Sequence, residues 1–186
     1  MTRAEPLRAP TSDDVAQLAR VLVACVAEGA SVGWVATPDA DDAAAWWARF
    51  LADPLTRTWV ARDGVDGIVA TASLVLAGQE NGRHRAEVVK VLVHPEARRR
   101  GLARALLRAV EDGARAEGRT LLVLDTNEGS DAERLYAGSG YVRVGAIPDF
   151  STQTDGTLRA TVLYYRQVGS GAGEVPPQGD PVAAKS

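Results

Sequence analysis

The sequence predicts an α/β domain in which helices flank a mixed, mostly antiparallel sheet. Three observations carry that expectation. Apolar residues recur at helical spacing in two segments of the N-terminal quarter. Two runs rich in strand-forming residues, "TRTWVARD" and "GIVATASLVLAG", are divided by a glycine-containing turn and read as an antiparallel hairpin. Farther on, strand, helix and strand succeed one another between "AEVVKVLV" and "TLLVLDT", a βαβ unit whose strands run parallel with a right-handed crossover.

In order along the chain, Glu5 to Ala9 forms a short first strand. The segment "TSDDVAQLARVLVACVAEG" puts Leu18, Val21, Leu22, Cys25 and Val26 on one helical stripe, opened by a Ser/Asp cap and closed by Gly29. "SVGWVATPDAD" is a loop, and the second helix carries Ala43, Trp46, Trp47, Phe50 and Leu51 on one side. The hairpin turns at Gly64, Asp66 and Gly67, and "NGRHR" leads into a long strand from Ala86 to Val93. The helix beyond Arg98 buries Leu102, Leu106, Leu107, Val110 and Ala114 and stops at Gly118. "TLLVLDT" is continuously apolar until its aspartate, the pattern of a strand buried on both faces. "SDAERLYAGSG" is a short helix, with Ser130 and Glu133 as a capping-box pair and Gly140 at its stop. "YVRVGAIP" and "LRATVLYYRQV" end the domain, residues 1–168, as strands. Residues 169–186, rich in glycine and proline, form an expected disordered tail.

A chain of 186 residues suits one domain with a substantial core. Its net charge of −3 argues against a nucleic-acid partner. No run of about 18 apolar residues exists to cross a membrane, and the N-terminus lacks the apolar core of a signal peptide. Cys25 is the single cysteine and has no disulfide partner in the chain. These features lead us to expect a soluble cytoplasmic protein. His84 and His94 lack metal-ligand spacing, so no metal is expected. Cys25 lies on a buried stripe and reads as a core thiol rather than a nucleophile.

The stretch "VLVHPEARRRGLARALL" carries the chemistry. A helix N-terminus offers unpaired N–H groups and a positive dipole end. Gly101 and Ala103 let a ligand come close to that backbone, while Arg98, Arg99 and Arg100 add charge. The reading is a pyrophosphate cradle; its bland alternative is a solvated, arginine-rich first turn. A GK[ST] P-loop and a G-x-G-x-x-G turn are both absent. The motif R-x-x-G-x-A, Arg98 to Ala103, placed after "VVKVLV" and followed by "LYAGSGYVRVG", resembles the GNAT acyltransferase family. "EGASVGW", "NGRHRAEV", "LLVLDT" and "GSDAERLY" further resemble the tabtoxin-resistance acetyltransferases within it.

The resemblance implies the GNAT fold with acetyl-CoA in the splay between the two parallel strands. It implies direct acetyl transfer to a small amine, amino-acid-like in the tabtoxin-resistance type, with a homodimer compatible. It assigns cofactor contacts to the Leu92 and Val93 backbone, to Arg98, Arg99, Arg100, Gly101, Leu102 and Ala103, and to Ser130 and Tyr136. It makes Tyr136 the acid that protonates the leaving thiolate. Many family members have an asparagine seven residues before this tyrosine; here that place is Gly129, with Ser130 next and Asn127 two positions away. Acceptor amines are mostly protonated at neutral pH, with pKa about 10.4 for a lysine-like group. Glu87 and Asp125, carboxylates on the two parallel strands, are therefore candidates to anchor the ammonium or accept its proton. Arg83 or Arg85 could meet a carboxylate on the acceptor.

Overall fold

The computed structural model describes residues 4–64, 67–153 and 155–169. The expected tail lies almost wholly outside the described residues, as does Asp66 of the hairpin turn. The elements are β1 (Ala4–Pro6), α1 (Ser12–Ala27), α2 (Ala40–Ala52), β2 (Thr56–Asp63), β3 (Gly67–Leu76), β4 (Arg85–Val93), α3 (Leu102–Ala116), β5 (Leu121–Asn127), α4 (Asp131–Ala137), β6 (Val142–Thr152) and β7 (Leu158–Gln167). The strands form one sheet in the order β1-β2-β3-β4-β5-β7-β6. Every neighbouring pair is antiparallel except β4 and β5, which are parallel.

Local chemistry sets the helix ends. Thr11, rather than the expected Ser/Asp pair, caps α1: its hydroxyl accepts from the Asp14 N–H at 3.1 Å, and the Asp14 carboxylate accepts from the Thr11 N–H at 2.8 Å. Asp39 caps α2 by accepting from the Asp42 N–H at 2.8 Å. The short α4 departs from its expected capping box. Glu133 accepts from the Gly129 N–H at 2.7 Å, but the Ser130 hydroxyl makes no cap bond and lies 3.2 Å from the Thr126 hydroxyl instead.

The two faces of the sheet are covered differently. On one, α3 buries Leu102, Leu106, Leu107, Val110 and Ala114 against Trp59, Ala70, Leu74, Val88, Leu122 and Leu124. A Cβ on Gly113 would run into the Trp59 indole, so this helix seats closely because that residue has none. On the other face, α1 and α2 pack Leu18, Leu22, Cys25, Ala43 and Trp47 against Val60, Ile68 and Leu92. These helices lie on β2, β3 and β4. β5 is therefore not buried on both faces as its apolar run suggests: Leu122 and Leu124 are buried, Leu121 and Val123 half-buried and Asp125 exposed. Across β6 and β7, Val144, Ile147, Phe150, Leu158 and Leu163 remain exposed.

Parallel pairing of β4 with β5 is short. It joins Arg85 with Leu121, Ala86 with Leu122 and Glu87 with Val123, and then ends. Beyond Glu87 the two strands separate, while β4 continues to pair with β3 as far as Val93. The remainder of β4 thus has one edge open toward a cleft.

Candidate active site

The cleft is closed at one end by the start of α3. Gly101 is its N-cap, in the left-handed conformation with φ of 78°, and a Cβ built there would meet nothing within 4 Å. The first α3 N–H bonded back to the cap is that of Ala105, 3.1 Å from the Gly101 carbonyl oxygen. The N–H groups of Leu102, Ala103 and Arg104 precede it, and α3 has no acidic residue in its first turn. These are the orphan donors and positive dipole end of a helix start. Arg99 is also left-handed, with φ of 65°, a conformation rare for a residue with a side chain.

The neighbouring arginines are partly engaged. Arg98 lies 3.8 Å from Glu28 and donates from Nε to the Val93 carbonyl at 3.4 Å. Arg100 lies 3.6 Å from Asp63 and donates to the Glu96 carbonyl at 2.9 Å. Both keep about half their side-chain surface in solvent, at 43% and 55%. Behind the cradle a cavity of about 120 Å³ is lined by Arg20, Asp63, Val69, His94, Glu96, Ala97 and Arg100. The cradle fits a pyrophosphate: open donors, no steric block at the glycine and cations around it. Acetyl-CoA would be held there by backbone, with its arm along the open edge of β4.

Cys25 is buried, and its thiol donates to the Val93 carbonyl at 3.3 Å. Burial pushes the thiol pKa up against the pull of Arg98, as expected of a core cysteine rather than a nucleophile. Among the described residues no group of three His, Cys, Asp or Glu could hold a metal.

Carboxylates front the mouth of the cleft. Glu87 stands directly across from Val75 on β3 and Val123 on β5, so the three share the face opposite α3. It keeps access to water, yet surrounding protein raises its pKa, first through burial and then through the negative charge of Asp125; Lys90 and Arg85 oppose the rise. Asp125 accepts from the Thr161 hydroxyl at 2.7 Å. Among the described residues Glu87 forms no ion pair, although Lys90 and Arg85 act on it through space. Beside Val75 an open cavity of about 310 Å³ is lined by Trp46, Arg49, Phe50, Asp53 and Thr56. Trp46 stacks on Phe50 with ring centroids 4.8 Å apart and planes 16° from parallel.

Sequence reasoning passed over Lys90 as a site residue. Leu92 pairs with Thr71 and Val89 with Ser73, so Lys90 and Val91 together face Ala72: a β-bulge, with Lys90 at φ of 54°. Its ammonium donates to the Val32 carbonyl at 2.7 Å and sits 4.8 Å from the centre of the Trp46 ring. Burial lowers its pKa, while Glu87 and Asp125 act to raise it.

Tyr136 is buried at 6% exposure, edge-on to Tyr141 with centroids 5.8 Å apart and tilted against Tyr164 at 6.2 Å. Burial, and then Asp125, push its phenol well above the usual tyrosine range. Asn127 does not reach toward α4: its amide donates to Gln153 at 2.9 Å and accepts from Ser151 at 3.3 Å. Arg83 and Arg85 are exposed, and the Arg83 carbonyl accepts from Arg119.

A strand edge opened by divergence from its parallel neighbour, leading to a helix N-terminus with free donors, gives the domain a cleft suited to an extended anionic ligand. Residues 20–141 match the model of the acetyltransferase (GNAT) family, and the chain belongs to that family. It is 39% identical over 106 residues to an uncharacterized N-acetyltransferase from the hisH–hisA intergenic region of Azospirillum brasilense, a match covering 55% of this chain and 62% of that protein. The chain thus spans less than two thirds of that curated relative. Among solved structures it superposes on a GNAT superfamily phosphinothricin acetyltransferase from Sinorhizobium meliloti, in complex with acetyl-CoA. The TM-score is 0.77 at 17% identity, covering 96% of this chain and 94% of the other. The Escherichia coli ribosomal-protein-S18-alanine N-acetyltransferase gives 0.69 at 18% identity, with coverage of 94% and 97%. At these identities the likeness concerns the fold.

Proposed function

We propose that this chain is an acetyl-CoA-dependent N-acetyltransferase that acetylates a small, amino-acid-like amine by direct transfer. The observation that carries the reading is the open edge of β4, which runs from the Gly101 cradle to the Glu87 and Asp125 carboxylates. The bound cosubstrate supplies an acetyl group activated as a thioester. The turn from Arg98 to Ala103 holds its pyrophosphate, and the Leu92 and Val93 backbone orients its arm. Ser130, at the start of α4, is assigned a lesser contact.

Glu87 and Asp125 attract the acceptor ammonium, and Glu87, with its raised pKa, receives the amine proton directly or through water. Tyr136, protonated at working pH as any ordinary phenol is, is the group we assign to give a proton to the departing sulfur. Cys25 takes no part, which favours direct transfer over a covalent enzyme intermediate.

The acceptor class rests on the resemblance to tabtoxin-resistance enzymes and on the structural likeness to a phosphinothricin acetyltransferase. We place the protein in the cytoplasm, where a lone Cys25 stays reduced. The likeness to a ribosomal-protein alanine acetyltransferase favours a second reading, in which the amine belongs to a protein. Competition decides between them: small amino-acid-like amines and a peptide bearing a free N-terminus and a lysine are offered together with acetyl-CoA, and products are weighed by mass spectrometry. We expect the small amines to be modified. Modification of the peptide alone would overturn the small-molecule reading and leave the acetyltransferase assignment standing.

A further inference from the structure

We infer that Lys90 is a self-acetylation site, an amine of the enzyme's own that takes the acetyl group when no acceptor occupies the cleft. The inference rests on the proposed binding of acetyl-CoA along β4 and goes beyond it. Lys90 lies in the strand whose open edge is to carry the acyl arm, two residues from Leu92. The bulge is what brings it there. Two residues opposite one on β3 break the alternation of the strand, and the left-handed backbone of Lys90 aims its side chain at α2 and the loop before it. A left-handed residue with a side chain is disfavoured inside a strand and persists where surroundings hold it.

The amine is held in the acceptor half of the cleft by the Val32 carbonyl and the Trp46 ring. It also lies within the field of Glu87 and Asp125, the carboxylates assigned to an acceptor amine. Its surroundings therefore match those proposed for the substrate: an amine, partly desolvated, in the field of Glu87 and Asp125 but ion-paired with neither among the described residues, so that water relays its proton. One hydrogen bond and one cation–π contact slow its departure toward the acyl group without forbidding it.

In the step, the Lys90 ammonium first gives one proton to water, neutral Nζ then attacks the thioester carbonyl carbon, and an N–C bond forms as the C–S bond breaks. Glu87 receives, through water, the proton then shed by Nζ, and the departing thiolate takes one from Tyr136. Proton return from Glu87 to Tyr136 leaves Nε-acetyl-lysine and free CoA, with no oxidant or further reactant. The product has lost the ammonium and fills acceptor space with its acetyl group, so the modified enzyme is braked until replaced or deacylated.

The chain has two lysines, Lys90 and Lys185, which makes the test internal. The purified protein is incubated with acetyl-CoA and no acceptor, digested, and its lysine peptides are quantified by mass spectrometry, while acetyl-CoA binding is measured by calorimetry. Proximity should acetylate Lys90 about ten-fold or more beyond Lys185. Excess free CoA, or a small amine that serves as acceptor, should suppress that labelling, and Lys90→Arg should abolish it. Equal labelling of the two lysines, or Lys90 labelling that persists under excess CoA, would mark ordinary chemical acetylation and overturn the inference. Acetyl-CoA bound with Lys90 unmodified overturns the inference alone. Acetyl-CoA unbound removes the cofactor reading, and the inference falls with it.

Discussion

At the α3 end of the cleft the candidate site is built from backbone N–H donors around Gly101, whereas at the β4–β5 mouth it is built from the side chains of Glu87, Asp125 and Lys90. The backbone end depends on conformation: a left-handed glycine cap and a first turn with no side-chain cap and no acidic residue. The side-chain end depends on position: Glu87 in register with Val75 and Val123, and Lys90 turned by a bulge. A site built from backbone tolerates many substitutions that keep the turn and fails with one that fills it. A site built from side chains changes character with each residue. The comparison teaches that the cosubstrate half should be generic and the acceptor half particular to this chain.

The largest effect should come from the proposed acid. Tyr136→Phe should lower kcat about 10²–10⁴-fold, the range of general acid catalysis, with acetyl-CoA affinity unchanged; steady-state kinetics beside calorimetry separate the two. Full kcat in that variant would make Tyr136 a packing residue between Tyr141 and Tyr164. Gly101→Glu should weaken acetyl-CoA binding about 100-fold or more, some 2.7 kcal/mol, by placing bulk and negative charge at the helix start. A thermal melt alongside the titration controls for the strain of a side chain at φ of 78°.

At the acceptor mouth, Glu87→Gln should raise the KM for the amine about ten-fold, with little change in cosubstrate affinity. It should also alter the pH profile. Glu87 works ionised, and its pKa lies above the ordinary carboxylate value of 4.5. In the wild type kcat/KM should therefore be full above that raised pKa and fall as pH drops through it. The amide variant should lose this acid limb. The smallest effect belongs to the cradle's charge. Arg99→Ala removes an exposed cation and should weaken acetyl-CoA binding only a few-fold, within about 1 kcal/mol. A loss as large as that of Gly101→Glu would show that side chains, not backbone, hold the pyrophosphate.

The strand-to-helix turn at Gly101 was legible because its requirements are local: glycine at the turn, small residues after it, and apolar spacing that fixes the helix register. The parallel pair was legible for the same reason. What escaped depends on contacts distant in sequence. Nothing in "VVKVLV" marks Lys90 as left-handed, since the bulge follows from pairing with β3, and its burial follows from Val32 and Trp46. The apolar run of β5 suggested burial on both faces, but α1 and α2 stop over β4 and leave Asp125 in solvent. At α4 the spacing of Ser130 and Glu133 suited a capping box; the Thr126 hydroxyl, brought close by β5, lies beside the serine hydroxyl instead.

The central claim is that the cleft transfers an acetyl group rather than merely holding its carrier. The measurement that tests it most directly follows free CoA release across a panel of small amines, with the N-acetyl product quantified in the same samples. The account predicts acceptor-dependent release, matched mole for mole by acetylated amine and lost in Gly101→Glu. Tight acetyl-CoA binding with no release above background for any amine, small or peptide-borne, would contradict it and leave a binding domain in place of an enzyme.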